Sequence, residues 1–218
     1  MFHTASDAGT GGIGKGTGHT RINRSRLVRV FIALPVPDAI AAHLAGIGLA
    51  MAGEYAGLNP ARPDGMHLTL AFLGEQTEAR AEKLGSLFEQ DAFASDVIRA
   101  SVSGIGTFPP TGQPRVIWAG LARGEQEIID YQKRVMQLLV TSGFPEADEG
   151  REYHPHLTIA RNKFATIPRE RLGELKMPMG EFDIVNCALF QSVLGPKGAT
   201  YTQLAKRHFG RKKSSNGS

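Results

Sequence analysis

Apolar residues crowd the stretch Leu27-Val28-Arg29-Val30-Phe31-Ile32-Ala33-Leu34, which predicts a strand halted by Pro35 and Pro37. The pattern then takes a helical period from Asp38 to Tyr55, with Asp38 placed to cap the helix after the proline. Met66 to Leu73 reads as a strand ended by Gly74, and Thr77 to Glu89 as a helix. Val97 to Phe108 and Pro114 to Leu121 read as two antiparallel strands around a Pro-Pro-Thr-Gly-Gln turn. Glu125 to Ser142 is an amphipathic helix carrying Ile128, Tyr131, Val135 and Leu138 or Leu139 on one side. Tyr153 to Arg161 is a further strand and Pro168 to Leu175 a short helix. Phe182 to Leu194 and Thr200 to Leu204 close the chain as a hairpin around Gly195-Pro196-Lys197-Gly198.

Strands and helices alternate in this order, yet hairpins interrupt them, so a purely parallel sheet is excluded. Each half holds a strand, then a helix, then an antiparallel hairpin. The expected fold is therefore α+β: two similar lobes with antiparallel-rich sheets related by a pseudo-twofold axis, flanked by helices, with an active-site cleft between them. Such an axis would set the strand that precedes the helix and hairpin in each half, Met66 to Leu73 and Tyr153 to Arg161, side by side.

Those two strands share a motif. One reads His67-Leu68-Thr69-Leu70 and the other His156-Leu157-Thr158-Ile159, 89 residues later. Strand alternation sends each His and Thr to one face and the aliphatic pair to the other. Imidazole titrates near neutrality, so one copy can accept a proton while the other donates one. In-line attack on a phosphodiester needs both at once: a base for the water and an acid for the leaving oxygen. The Thr69 and Thr158 hydroxyls can donate to the non-bridging oxygens, where charge is held in the transition state. Arg161, ending the second motif strand, can add a charge-assisted contact to phosphate. His154 and His156 share a strand face at a spacing that could suit a metal, but no third ligand is evident. No metal or cofactor is expected; His154 reads as a supporting residue, and Pro155 holds it extended.

The net charge of +4 and pI near 9.3 suggest a nucleic-acid partner until the charges are located. Residues 1–27 carry +3 and residues 206–218 carry +5, leaving the body between them at −4. Contact of the folded part with nucleic acid should thus be local. The lone Cys187 lies in an apolar strand and reads as a buried small hydrophobe, in keeping with a reducing, cytoplasmic setting. No apolar run suits a membrane span or a secretion signal, and nothing demands more than a monomer. Residues 1–26 read as a disordered Gly-rich extension, 27–209 as the bilobal domain and 210–218 as a basic flexible tail. Gly9, Gly11 and Gly14 match a dinucleotide pattern but follow no strand. A P-loop reading of Gly9 to Lys15 fails because Gly16 stands where Ser or Thr is needed.

These stretches resemble the two-histidine (2H) phosphoesterase superfamily, and within it the RNA 2′,3′-cyclic phosphodiesterases, also described as LigT-like 2′–5′ RNA ligases. The resemblance rests on Arg29 to Pro35, Met66 to Gly74, Pro114 to Gly120, Tyr153 to Arg161 and the closing Tyr201-Thr202-Gln203-Leu204. It implies a cleft holding His67, Thr69, His156 and Thr158, and hydrolysis of RNA or nucleotide 2′,3′-cyclic phosphates to 2′-phosphates, with reversible 2′–5′ RNA ligation as a further activity. It implies His67 as general acid and His156 as general base, with Arg161, Phe31 and His154 on the substrate side and Phe31 near the nucleobase. Two other readings stay open: a non-catalytic module that binds RNA ends, and a phosphodiesterase for another cyclic or nucleotide-linked ester.

Overall fold

The computed structural model describes residues 26–147, 150, 152–175, 177, 180–195 and 198–210. The elements, in chain order, are β1 (Leu27–Pro35), α1 (Asp38–Glu54), β2 (Leu58–Pro60), β3 (His67–Thr77), α2 (Glu78–Leu87), β4 (Ile98–Phe108), β5 (Val116–Arg123), α3 (Glu125–Thr141), β6 (Leu157–Asn162), α4 (Arg169–Gly173), β7 (Glu181–Ile184), β8 (Asn186–Gly195) and β9 (Gly198–His208). The glycine motifs of the extension, and nearly all of the two expected flexible ends, lie outside the described residues.

The strands form two sheets, one in the order β3-β1-β8-β9 and the other in the order β2-β6-β5-β4-β7. Every ladder between named strands is antiparallel. Leaving out the three-residue β2, each sheet is a run of four strands with a motif strand first: β3-β1-β8-β9 against β6-β5-β4-β7. This is the expected pair of similar lobes. The motif strands, however, are not ladder neighbours: β3 pairs with β1, and β6 pairs with β2 and β5. The two-fold relation sets them in separate sheets, one on each side of a cleft.

The helices follow from their patterns with small changes. Ile128, Tyr131, Val135 and Leu139 of α3 are buried, which settles the Leu138 or Leu139 choice. Gly124 caps this helix at φ 83°, and a Cβ there would stand 2.8 Å from the Arg99 carbonyl oxygen. Asp38 falls inside the first turn of α1, because Pro37 already holds the extended cap conformation; no side chain caps that end. Thr77 does cap α2, its hydroxyl accepting from the Arg80 N–H. The apolar run expected as one strand from Phe182 divides at Val185: β7 pairs with β4, whereas β8 pairs with β1 and β9. The chain thus changes sheets inside a stretch whose alternation carries no mark of the change.

Burial follows the alternation around each motif. Leu68, Leu157 and Ile159 are buried, and so is Leu70, while His67, Thr69, His156 and Thr158 stay partly open. The aliphatic faces of both sheets share one core with α1, α2 and α3. Cys187 is a free, fully buried thiol in that core, and burial pushes its pKa up to about 12. No helix among the described residues is long and apolar enough to cross a membrane.

Candidate active site

His67 opens β3, and His156 stands just before β6, after the extended His154 and Pro155. Both histidines line one cavity of about 840 Å³, together with Thr69, Thr158 and Arg161. The two sheets therefore bring all five residues to a single opening.

Each imidazole is fixed the same way. Nδ1 of His156 lies 2.7 Å from the carbonyl oxygen of His154, and a ring N–H of His67 donates to the carbonyl of Gly65. In both cases the acceptor is the backbone two residues earlier. A carbonyl can only accept, so Nδ1 of His156 keeps its proton in either charge state and Nε2 is left to exchange one.

Aromatic rings enclose each histidine. The His67 ring stacks on Phe31 at 4.7 Å and meets the edge of Tyr201 at 5.4 Å. The His156 ring meets Phe108 edge-on at 5.0 Å and lies 5.9 Å from Trp118. This low-polarity setting disfavours the charged form. Burial lowers the pKa of His67 to about 4, helped by the charges of His156 and Arg161 and opposed by the Gly65 hydrogen bond. Burial also lowers that of His156, with Arg161 and His154 adding to the effect and the His154 carbonyl opposing it. Both rings are therefore neutral near pH 7 in the free protein.

Strict alternation would turn Arg161, five residues after His156, away from the site. A β-bulge reverses this. Trp118 pairs with Thr158 and Ile117 with Ala160, so Ile159 has no ladder partner and Arg161 returns to the cavity face. The first motif strand does the same thing. Ala33 pairs with Thr69 and Ile32 with Ala71, so Leu70 bulges, and Phe72, five residues after His67, faces the cavity. Both bulges are stabilised from outside the ladder. The Ile159 carbonyl accepts from the Ala61 N–H at 2.8 Å, and the Leu70 carbonyl accepts from the Gln132 side chain at 3.3 Å.

Helix α1 also approaches the second bulge closely. A Cβ on Gly48 would stand 2.5 Å from the Ile159 carbonyl oxygen, and no side-chain rotation relieves a clash with backbone. Gly48→Ala is expected to lower stability by roughly 1–3 kcal/mol, measured by urea unfolding, and to lower activity further by re-aiming Arg161.

Of the other expected substrate residues, His154 lies outside the cavity, whereas Phe31 lines it but is largely covered. The side chain of His154 is 53% exposed, lies 3.8 Å from Glu152 and does not line the cavity; its carbonyl does the work at His156. Phe31 lines the cavity but is only 3% exposed, because it is packed against His67 and against Phe190 at 5.4 Å, so it mainly backs the histidine. Arg29, Phe72, Phe108 and Tyr201, which sequence reasoning does not assign to the site, are among the other residues of the wall. The Tyr201 ring lies where a Cβ on Gly65 would be, at 2.6 Å, which pins the segment whose carbonyl orients His67. Among the described residues no group of three or more His, Cys, Asp or Glu side chains is placed to hold a metal ion.

Two antiparallel lobes presenting matched histidines and threonines to one cleft define a two-histidine site. Comparison with known proteins agrees. Residues 34–118 match the family model described as LigT like Phosphoesterase. An RNA 2′,3′-cyclic phosphodiesterase of Archaeoglobus fulgidus is 31% identical over 182 residues, covering 81% of this chain and 98% of that protein. The enzyme of the same name from Methanocaldococcus jannaschii is 31% identical over 178 residues, covering 80% and 96%. A crystal structure of a Thermus thermophilus protein superposes with a TM-score of 0.69 at 28% identity, covering 84% of this chain and 99% of that one. The chain belongs to the LigT-like phosphoesterase family of the 2H superfamily.

Proposed function

We propose that this chain hydrolyses 2′,3′-cyclic phosphates, at RNA ends or on nucleotides, to 2′-phosphates. The observation that carries this reading is the matched pair of imidazoles in one cleft, each held by a backbone carbonyl two residues earlier. Its relatives from Archaeoglobus fulgidus and Methanocaldococcus jannaschii bear the name of that activity.

In this mechanism Nε2 of His156 takes a proton from water as its oxygen attacks phosphorus. The bond from phosphorus to the 3′ oxygen breaks, and His67 delivers a proton to that oxygen. The products are a 2′-phosphate and a free 3′ hydroxyl. Exchange with solvent then removes the proton from His156 and returns one to His67. The Thr69 and Thr158 hydroxyls, which no protein group among the described residues engages, donate to the non-bridging oxygens, and Arg161 balances their charge. Two imidazoles supply both proton transfers, so the chemistry calls on no metal ion. A monomer in the cytoplasm accords with a complete cleft in one chain and a reduced, buried Cys187.

The test is incubation with nucleoside 2′,3′-cyclic phosphates and with RNA bearing a cyclic end, in buffer with and without EDTA. Formation of the 2′-phosphate alone, undiminished by EDTA, is expected. A 3′-phosphate product, or binding of every cyclic phosphate without turnover, would overturn the mechanism.

A further inference from the structure

The base His156 is walled on one side by a turn that a distant residue ties down. Phe108 ends β4 and pairs across the ladder with Val116, the first residue of β5, and both line the cavity. The Phe108 ring meets His156 edge-on at 5.0 Å and lies 5.2 Å from Trp118. It is thus part of the apolar wall against the imidazole. The residues that follow it, Pro109 to Gln113, are exposed. An exposed connection is mobile unless its backbone is held, and so is a side chain at its root.

Arg169, which opens α4, supplies the hold. Its guanidinium donates to the Thr107 hydroxyl at 3.2 Å, to the Gly112 carbonyl at 2.8 Å and to the Pro109 carbonyl at 3.4 Å. The Thr107 hydroxyl in turn donates to the Pro109 carbonyl at 3.0 Å. These oxygens lie on both sides of Phe108 in the chain, and a planar fork with several donors suits them at fixed geometry. Two further bonds close the turn: the Arg115 N–H donates to the Phe108 carbonyl at 2.7 Å, and the Asn162 side chain donates to the Pro114 carbonyl at 2.9 Å.

Other duties do not account for Arg169. It does not line the cavity. Helix α4 is anchored without it, because Leu172 packs with Ile167, Ala165, Ile117 and Met51 in a small apolar cluster of its own. Nor does its charge act on the base. The charges that act on His156 are those of Arg161 and His154, and His67 faces it in the cleft. Phe108 and Trp118, packed near its ring, bring none.

We infer that Arg169 is a positioning residue for the base: by fixing the turn between β4 and β5 it holds the Phe108 ring against His156 and keeps the imidazole aimed and shielded from water. The inference rests on the proposed function in taking His156 as the base. A loosened ring would let water reach the imidazole, favour its charged form and blur the aim of Nε2.

A nuclear magnetic resonance titration of the histidine rings in the unliganded full chain tests this without turnover, the His156 signal being identified by its loss in His156→Gln. In the unaltered protein that signal should titrate below pH 6.5, and in Arg169→Gln its midpoint should rise toward 6.5. The same variant should lower kcat about tenfold and leave KM within about twofold. Thr107→Val, which removes the hydroxyl and keeps the guanidinium, should move the midpoint the same way by less. Arg171→Gln, the same charge change on the same helix but at a residue paired with Glu54 and Glu174, should leave it unmoved. Phe108→Ala should raise the midpoint by itself, and adding Arg169→Gln should then bring no further rise. An unmoved midpoint in Arg169→Gln, an equal rise in Arg171→Gln, or a further rise in the Phe108→Ala background would overturn the role. Hydrolysis assays separate this from the proposed activity. Failure to cleave any cyclic phosphate, with the rise in Arg169→Gln intact, sinks the activity and leaves the positioning role; cleavage with an unmoved midpoint does the reverse.

Discussion

Replacing either His67 or His156 with Ala is expected to lower kcat by roughly 10²–10⁴-fold. Each ring carries one of two proton transfers, and the charged side chains of the cavity do not replace it: Arg29, Arg62 and Arg161 do not release protons near pH 7, and Asp64 is engaged by Arg62. The double variant should be far less impaired than the product of the two single losses, since a lone acid or base cannot complete the step. The roles are separable by the leaving group. A p-nitrophenyl phosphodiester departs without a proton, so it should restore much of the rate lost in His67→Ala and little of that lost in His156→Ala. Rescue of the His156 variant instead would exchange the two assignments, and rescue of neither would remove the acid–base model. Trp118, the one tryptophan of the chain, packs near His156, and its emission checks that each variant keeps the local fold.

Much of this site is legible in the sequence because the motif is short, strictly alternating and repeated. His67, Thr69, His156 and Thr158 stand on the face that alternation assigns them, with Leu68 and Leu157 in the core. Legibility ends one residue after each threonine. Leu70 and Ile159 look like ordinary core positions, yet each is the extra residue of a bulge. What stabilises the bulges comes from distant parts of the chain: Gln132 on α3, Ala61 after β2 and the bare Cα of Gly48. A reading by period 2 could therefore place Arg161 only by its nearness to the motif, and strict alternation puts Phe72 on the buried face. The same limit explains Phe31 and the division at Val185. Both lie in continuous apolar runs, where a residue packed behind a catalytic ring and one exposed to ligand have the same sequence signature.

Related lobes also make the two halves comparable position by position. Each supplies an imidazole, a hydroxyl and a bulge that turns the fifth residue inward. The equivalence ends at that fifth residue, where one lobe offers a guanidinium and the other a benzene ring. A symmetric cleft would accept a phosphodiester in either direction. The difference between Arg161 and Phe72 supplies a reason for one direction, which an acid and a base with distinct roles require.

The pH dependence should show a displaced optimum. The productive form has His67 charged and His156 neutral. A histidine with a lowered pKa loses its proton at lower pH, so in the free protein the charged fraction of His67 falls about tenfold per unit above its value of about 4. His156 is also depressed, so above pH 6.5 both rings are neutral and the acid is missing. The profile of kcat/KM reports the free enzyme, and it should peak on the acid side of 6.5 and fall about tenfold per pH unit beyond it. The profile of kcat reports the complex. A bound phosphate brings negative charge beside both rings, favours their charged forms and should move that optimum upward. Arg161→Gln removes a positive charge that depresses both histidines, so it should shift the alkaline limb of kcat/KM to higher pH while weakening binding. Emission of Trp118 in the unliganded protein, 5.9 Å from the His156 ring, should titrate below pH 6.5 and follow the same shift in the variant. A kcat/KM optimum above about pH 7 in the unaltered enzyme would mean that His67 is not the acid in the free protein, and that the substrate itself or another group brings the proton.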